Sequence, residues 1–163
     1  MMRAIRLTSA ALVVLCATLV ASVGAQQPAP PKPDFNGRWV VVSPREGAGQ
    51  EQVITVDEKS LTKARPDGSR KMVYQLDGVE RRMPLPGGGT RMASDITIMA
   101  AAKWDGNRIV ITTITNYSAG MRTVGNDVWS IDAQGRLVID STETGNGAPS
   151  APMKIIFTRK GKI

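Results

Sequence analysis

Residues 107–115 read NRIVITTIT and carry the clearest β-strand pattern in the chain. Branched side chains dominate this stretch, and alternation places Ile109 and Ile111 on the same face of a sheet. Asp105 and Gly106 come immediately before it, after another apolar stretch. An Asp-Gly pair between two such stretches predicts a tight hairpin, because glycine readily adopts a positive φ. The segment therefore predicts antiparallel β-structure.

Similar stretches recur on both sides of this segment, separated by turn residues at short intervals. We predict further strands at residues 36–43, 52–56, 60–64, 71–76, 79–83, 92–104, 122–131, 136–141 and 153–159. Tight turns are predicted at residues 57–59, 77–78 and 132–135, and longer loops rich in glycine and proline at residues 84–90 and 145–152. Residues 99–102 (MAAA) fit a helical turn as well as a strand.

No stretch keeps the apolar period of a core helix over a dozen residues. Sequential hairpins make a meander, and a long meander must protect its edge strands. We therefore predict an all-β fold, an antiparallel up-and-down meander that closes into a small barrel. A β-sandwich is the alternative.

The start of the predicted barrel resembles a known superfamily. Residues 34–42 read DFNGRWVVV, and Gly37-x-Trp39 at the start of a first strand resembles the lipocalin or calycin superfamily. The resemblance implies that Trp39 packs across the closed base of the barrel against a basic residue of the last strand. Arg159, within FTRK, stands where that residue is expected. Gly37, Trp39 and Arg159 are thus the candidate barrel-closing residues.

The resemblance extends over nearly the whole chain after residue 33. The elements DFNGRW, YQLDG, AKWDGNRIVITT and NDVWSIDAQGRLVI look like those of uncharacterised bacterial secreted proteins with lipocalin-like domains. A Thr-Asp-Tyr motif of the usual lipocalin type is missing. The resemblance therefore implies an architecture and no particular ligand.

The first 33 residues differ in composition from the rest. Residues 1–25 combine early arginines, an apolar run and small residues at the end, which predicts a secretory signal peptide rather than a transmembrane anchor. Residues 26–33 contain four prolines and predict an extended linker. We expect residues 34–163 to form the barrel domain, a periplasmic or secreted location, and membrane contact only through the transient signal peptide.

The amino-acid composition excludes several kinds of catalytic and metal-binding site. The chain has no histidine, and its single cysteine, Cys16, lies in the predicted signal peptide. A Ser-His-Asp triad, a Cys-His pair and His/Cys ligation of zinc or haem are therefore excluded after processing. The run Gly87-Gly88-Gly89 lacks the lysine of a phosphate-binding loop. We predict a non-enzymatic protein with no catalytic residue, cofactor or metal site, and interpret Asp127 as a solvated strand residue.

The excess of basic over acidic residues does not by itself predict nucleic-acid binding. The formal net charge is +7, and it falls to +5 when Arg3 and Arg6 leave with the signal peptide. Basic residues concentrate in residues 63–71 and 80–92, where solvated surface is the ordinary interpretation. Aromatic residues make up 4% of the chain and do not interleave with the basic ones, whereas single-stranded nucleic acid needs stacking platforms.

A small antiparallel barrel holds one small ligand in its lumen or mouth. We predict that this protein binds a small apolar ligand, and the candidate lining residues are Val41, Tyr74, Trp104, Ile111, Trp129 and Phe157. The competing interpretation is that these side chains fill the core. The alternative function is an envelope structural or protein-interaction module that meets an envelope protein through its basic loop, residues 81–91, or a sheet edge.

Overall fold

A computed structural model describes residues 31–85, 96–118 and 120–161. The predicted signal peptide, residues 26–30 of the predicted linker, residues 86–90 of the glycine-rich loop and residues 92–95 of a predicted strand lie outside the described residues.

The described residues form eleven strands and one short 3₁₀ turn. The strands are β1 (Gly37–Ser43), β2 (Glu51–Val56), β3 (Ser60–Ala64), β4 (Met72–Gln75), β5 (Arg81–Met83), β6 (Ile96–Asp105), β7 (Arg108–Tyr117), β8 (Arg122–Ile131), β9 (Leu137–Gly145), β10 (Ala148–Pro149) and β11 (Met153–Gly161). The 3₁₀ turn, Arg45–Gly47, follows β1. The predicted strands match these elements, and β3 and β8 have the predicted bounds.

All strands pair antiparallel in one sheet with the order β4-β3-β2-β1-β11-β9-β8-β7-β6-β5, and β10 pairs with β9. The first strand therefore lies beside the last, with Trp39 opposite Arg159. This order confirms the predicted all-β meander, which curls into a nearly closed barrel. The sandwich alternative is wrong because one continuous sheet curls on itself.

β4 and β5 are the two ends of the sheet, and the barrel is nearly closed where the connection between them meets β6. β4 pairs with β3, whereas β5 pairs with β6. Between them Asp77 bridges to Lys103, and the Gly78 N–H donates to the Ala102 carbonyl at 2.8 Å. The predicted hairpin at residues 77–78 is therefore wrong, since β4 and β5 do not pair with each other. Gly78 has a φ of 75°, and the bend that it permits redirects the chain onto β6.

Residues 99–102 belong to β6, so the helical-turn interpretation is wrong. Ala100 and Ala102 are buried and stand opposite Thr113 and Ile111 of β7. The period-2 burial of a strand outweighs the helical preference of alanine here, because a long ladder to β7 pairs the backbone.

The predicted loop at residues 145–152 contains a tight hairpin. Asn146 and Gly147 have φ values of 47° and 84°, and Gly145 stands opposite Ala148. Asn-Gly is the preferred pair for such a turn, because both central residues need a positive φ. β9 consequently extends to Gly145, four residues beyond its predicted end at residue 141.

One end of the barrel carries the hairpin turns at residues 57–59, 106–107 and 132–135, and we call it the base. Phe35 and Trp39 are fully buried there. The Trp39 indole Nε1 donates to the Phe35 carbonyl at 2.9 Å. The Phe35 ring centroid lies 5.9 Å from that of Trp104 on β6. Three aromatic side chains thus seal the base.

At the base, Arg159 of the last strand places a cation against Trp39 of the first strand. The Arg159 guanidinium carbon lies 4.7 Å from the Trp39 ring centroid, which is a favourable cation–π distance. Arg159 also donates to the Asp34 carboxylate at 3.1 Å and to the Asp34 backbone carbonyl at 2.6 Å. A Cβ at Gly37 would lie 3.0 Å from the Gly161 carbonyl oxygen, so glycine permits this close approach of β1 and β11.

Replacing the central indole tests this arrangement. We expect Trp39→Ala to lower the free energy of unfolding by about 3–5 kcal/mol, because it leaves a cavity among the base aromatics. Denaturant unfolding provides the measurement. The matched control is Val42→Ala on the same strand, whose side chain is 46% exposed. It should change stability by no more than about 0.5 kcal/mol. Equal effects of the two substitutions would contradict the sealing role of Trp39.

Candidate functional site at the open end of the barrel

A cavity of about 430 Å³ opens at the end opposite the base, between the 3₁₀ turn and the connection from β3 to β4. Its apolar wall comes from β1, β4 and β11 and includes Val41, Met72, Ile155 and Phe157. Val41 and Phe157 are paired across β1 and β11. The pairing of first and last strands therefore builds the cavity wall as well as the base.

Lys63 brings a cation into this apolar setting. It lies on β3 two residues after the fully buried Leu61, so alternation turns it into the lumen. Its Nζ lies 5.9 Å from the ring centroid of Trp129. Burial lowers the pKa of the Lys63 ammonium, and the negative charge of Asp127 partly opposes that shift.

Three further polar side chains face the same lumen. Asp127 on β8 stands opposite Ser141 on β9, and the Ser141 hydroxyl donates to its carboxylate at 2.6 Å. Tyr74 on β4 donates to the Met72 sulfur at 3.8 Å, its one hydrogen-bond acceptor among the residues that the structure describes. Burial, with a smaller contribution from Asp127, raises the pKa of the Tyr74 hydroxyl to about 12. Interpreting Asp127 as a solvated residue is wrong, because its side chain turns inward and is partly buried.

Two indole N–H groups are buried without an acceptor in the described part of the chain, those of Trp104 and Trp129. Most buried polar groups have a hydrogen-bond partner, so each such donor needs an explanation. Trp129 is 1% exposed and lies in the lumen, whereas Trp104 lies at the base with the Lys32 ammonium 4.5 Å from its ring centroid.

The chain matches no family model, no curated protein and no solved structure. Among residues 31–85, 96–118 and 120–161, no three side chains of His, Cys, Asp or Glu gather closely enough to hold a metal ion. The same residues contain no helix with the length and apolarity that a membrane crossing requires.

The six predicted lining residues separate into three groups. Val41 and Phe157 line the open cavity. Tyr74 and Trp104 border smaller recesses, of about 160 Å³ beside β5 and about 330 Å³ at the base respectively. Ile111 and Trp129 are buried in the core cluster, to which Val41 and Phe157 also belong. The structure thus places two of the six predicted residues in the cavity wall, and these two pack in the core as well.

The sequence analysis did not single out Lys63, Ser141 or Phe35. A signal for Lys63 was present, because it follows Leu61 at the spacing of one strand face. Its position within a basic stretch favoured solvated surface instead. Ser141 stood at the end of a predicted strand, and the partnership with Asp127 depends on the register between β8 and β9.

The buried tyrosine gives a titration test. The chain has two tyrosines, Tyr74 and Tyr117. We expect the ultraviolet absorbance titration to contain a component with a pKa of about 12 that Tyr74→Phe removes and Tyr117→Phe retains. An unfolded tyrosine ionises near pH 10, so the folded state binds more protons between about pH 10 and 12. Stability should therefore fall as pH rises through this window, and fall less in Tyr74→Phe. An unchanged titration of Tyr74→Phe would contradict the buried position.

Proposed function

We propose that this protein is an exported, non-enzymatic β-barrel that binds a small apolar ligand in the open end of its barrel. The observation that carries the proposal is the cavity of about 430 Å³ lined by Val41, Met72, Ile155 and Phe157. Ligand sites commonly have volumes of about 300–1,000 Å³ with predominantly apolar walls and a few polar groups. The cavity has this size and this composition.

The distribution of large side chains supports ligand binding over simple core filling. Phe35, Trp39 and Trp104 gather at the base, where they exclude solvent. Gly47 and Ala64, by contrast, stand in the lining of the open cavity. A base closed by three aromatic side chains and an open end with an apolar wall make a cup, and an apolar cup stabilises a guest by removing the apolar surface of both from water.

Binding rather than catalysis is the second part of the proposal. The hydrogen-bonded Asp127 and Ser141 lie in the lumen, but the chain contains no histidine to act as the base of a triad. The Ser141 proton points to the Asp127 carboxylate, and this bond satisfies a polar pair inside the barrel.

Export and membership among lipocalin-like bacterial secreted proteins also belong to this proposal. They rest on the pattern of residues 1–25 and on the shared elements such as DFNGRW. A periplasmic or secreted location follows from that pattern, with no nucleic-acid partner. Mass spectrometry of the protein from its native host tests it, and a mature chain that starts at Gln26 is the expected result.

An alternative proposal uses the sheet edge at the closure. β4 pairs with β3 and β5 pairs with β6, so within the described residues each has one edge without a strand partner. An envelope protein that adds a strand there, or that meets the basic residues 81–91, would make this an interaction module. Residues 86–91 of that loop lie outside the described part.

Occupying the cavity with a side chain separates the two proposals. We expect Met72→Trp to weaken binding of the uncharged dye Nile red at least about tenfold, or about 1.4 kcal/mol, because the indole fills the cavity. Fluorescence titration measures the dissociation constant, and thermal unfolding checks the fold.

The matched control is Met121→Trp, which places the same indole on a residue that is 49% exposed in the connection between β7 and β8. This variant should keep the affinity of the unsubstituted protein. Equal affinities of both variants, or no binding by the unsubstituted protein, would count against the cavity and favour the interaction module.

A further inference from the structure

We infer that the ligand of the open cavity carries a carboxylate, which accepts a hydrogen bond from the Lys63 ammonium in the cavity lining. This inference rests on the proposed function and adds the charge of the ligand to it. Its apolar part would lie along the wall formed by Val41, Met72, Ile155 and Phe157.

The Lys63 ammonium has no acceptor in the part of the chain that the structure describes. No ion pair or hydrogen bond joins it to another residue of the described ranges. A charge removed from water without compensation is costly, which is why burial lowers the pKa of this amine. A bound anion would supply the missing counter-charge and the missing acceptor together.

Trp129 lies on the core side of Lys63. The Lys63 Nζ is 5.9 Å from the ring centroid of Trp129, which is 1% exposed and belongs to the core cluster. Lys63 itself is part of the cavity lining, so its ammonium lies at the boundary between the core and the open cavity.

Asp127 is the negative charge that faces Lys63 within the described lumen, and its influence is limited. It attracts the ammonium, yet the two do not form an ion pair. One of its carboxylate oxygens already accepts the Ser141 hydroxyl. Asp127 therefore leaves Lys63 with capacity for a further acceptor.

The charged residues around the cavity favour an anion as well. Glu51 is the acid in the lining, and it is engaged by Arg38 at 3.5 Å and by Lys160. Arg65 and Arg70 also line the cavity, and neither forms an ion pair in the described part. The cavity thus presents unmatched positive charge, which attracts anions and disfavours cationic ligands.

The test compares two probes of equal chain length, dodecanoate and dodecan-1-ol, by isothermal titration calorimetry on the purified protein. We expect dodecanoate to bind at least about tenfold more tightly, since a hydrogen bond to a charged group commonly contributes that much. Lys63→Met should bring the affinity for dodecanoate down to that for the alcohol.

Lys59→Met is the matched control, because it removes the same charge from the exposed hairpin turn at the base. It should keep the full preference for dodecanoate. Lys63→Gln repeats the test with a polar side chain, so that the result does not depend on one variant folding well.

Each outcome has a distinct meaning. A preference that disappears in Lys63→Met and survives in Lys59→Met supports the inference. Equal binding of both probes by the unsubstituted protein overturns the inference and leaves the proposed function standing. A preference that persists in both Lys63 variants also overturns it. Binding of neither probe counts against the inference and the proposed function together.

Discussion

The pairing of the first strand with the last determines the rest of this structure. β1 and β11 are far apart in sequence, and their contact turns a meander into a barrel. At the base the pair sets Arg159 over Trp39, and at the open end it sets Val41 opposite Phe157. Without that pairing the edges of both strands would expose unpaired backbone groups. One register thus controls both the sealed base and the wall of the cavity.

The two ends of the barrel differ because large side chains are distributed unevenly along the lumen. Aromatic side chains crowd the base, and a small antiparallel barrel has an interior that such side chains can fill. Toward the other end the inward positions include the polar residues Lys63 and Ser141, which are partly buried. Lys63 borders the apolar wall of the open cavity.

The turn predictions that the structure contradicts were wrong for specific reasons. Asp77-Gly78 has the residues of a hairpin turn, but Asp77 and the Gly78 backbone pair with β6 instead. Asn146-Gly147 has the same kind of local signal and does form a hairpin. The residues of a turn indicate that the chain can bend at that point. They do not determine which strand lies beside the chain after the bend. That partner depends on closing the sheet, which is a property of the whole barrel.

The sequence by itself determined the strand content and most strand bounds, because local alternation and turn residues act within a few positions of the chain. The place of Trp39 at the base was implied by the resemblance that residues 34–42 carry, and not by alternation. Only the tertiary structure decided which inward residues pack and which border a cavity. Trp129 and Val41 both point inward and both belong to the core cluster, but Val41 also borders the open cavity and Trp129 does not. That difference arises from residues of distant strands, whose side chains share one interior volume.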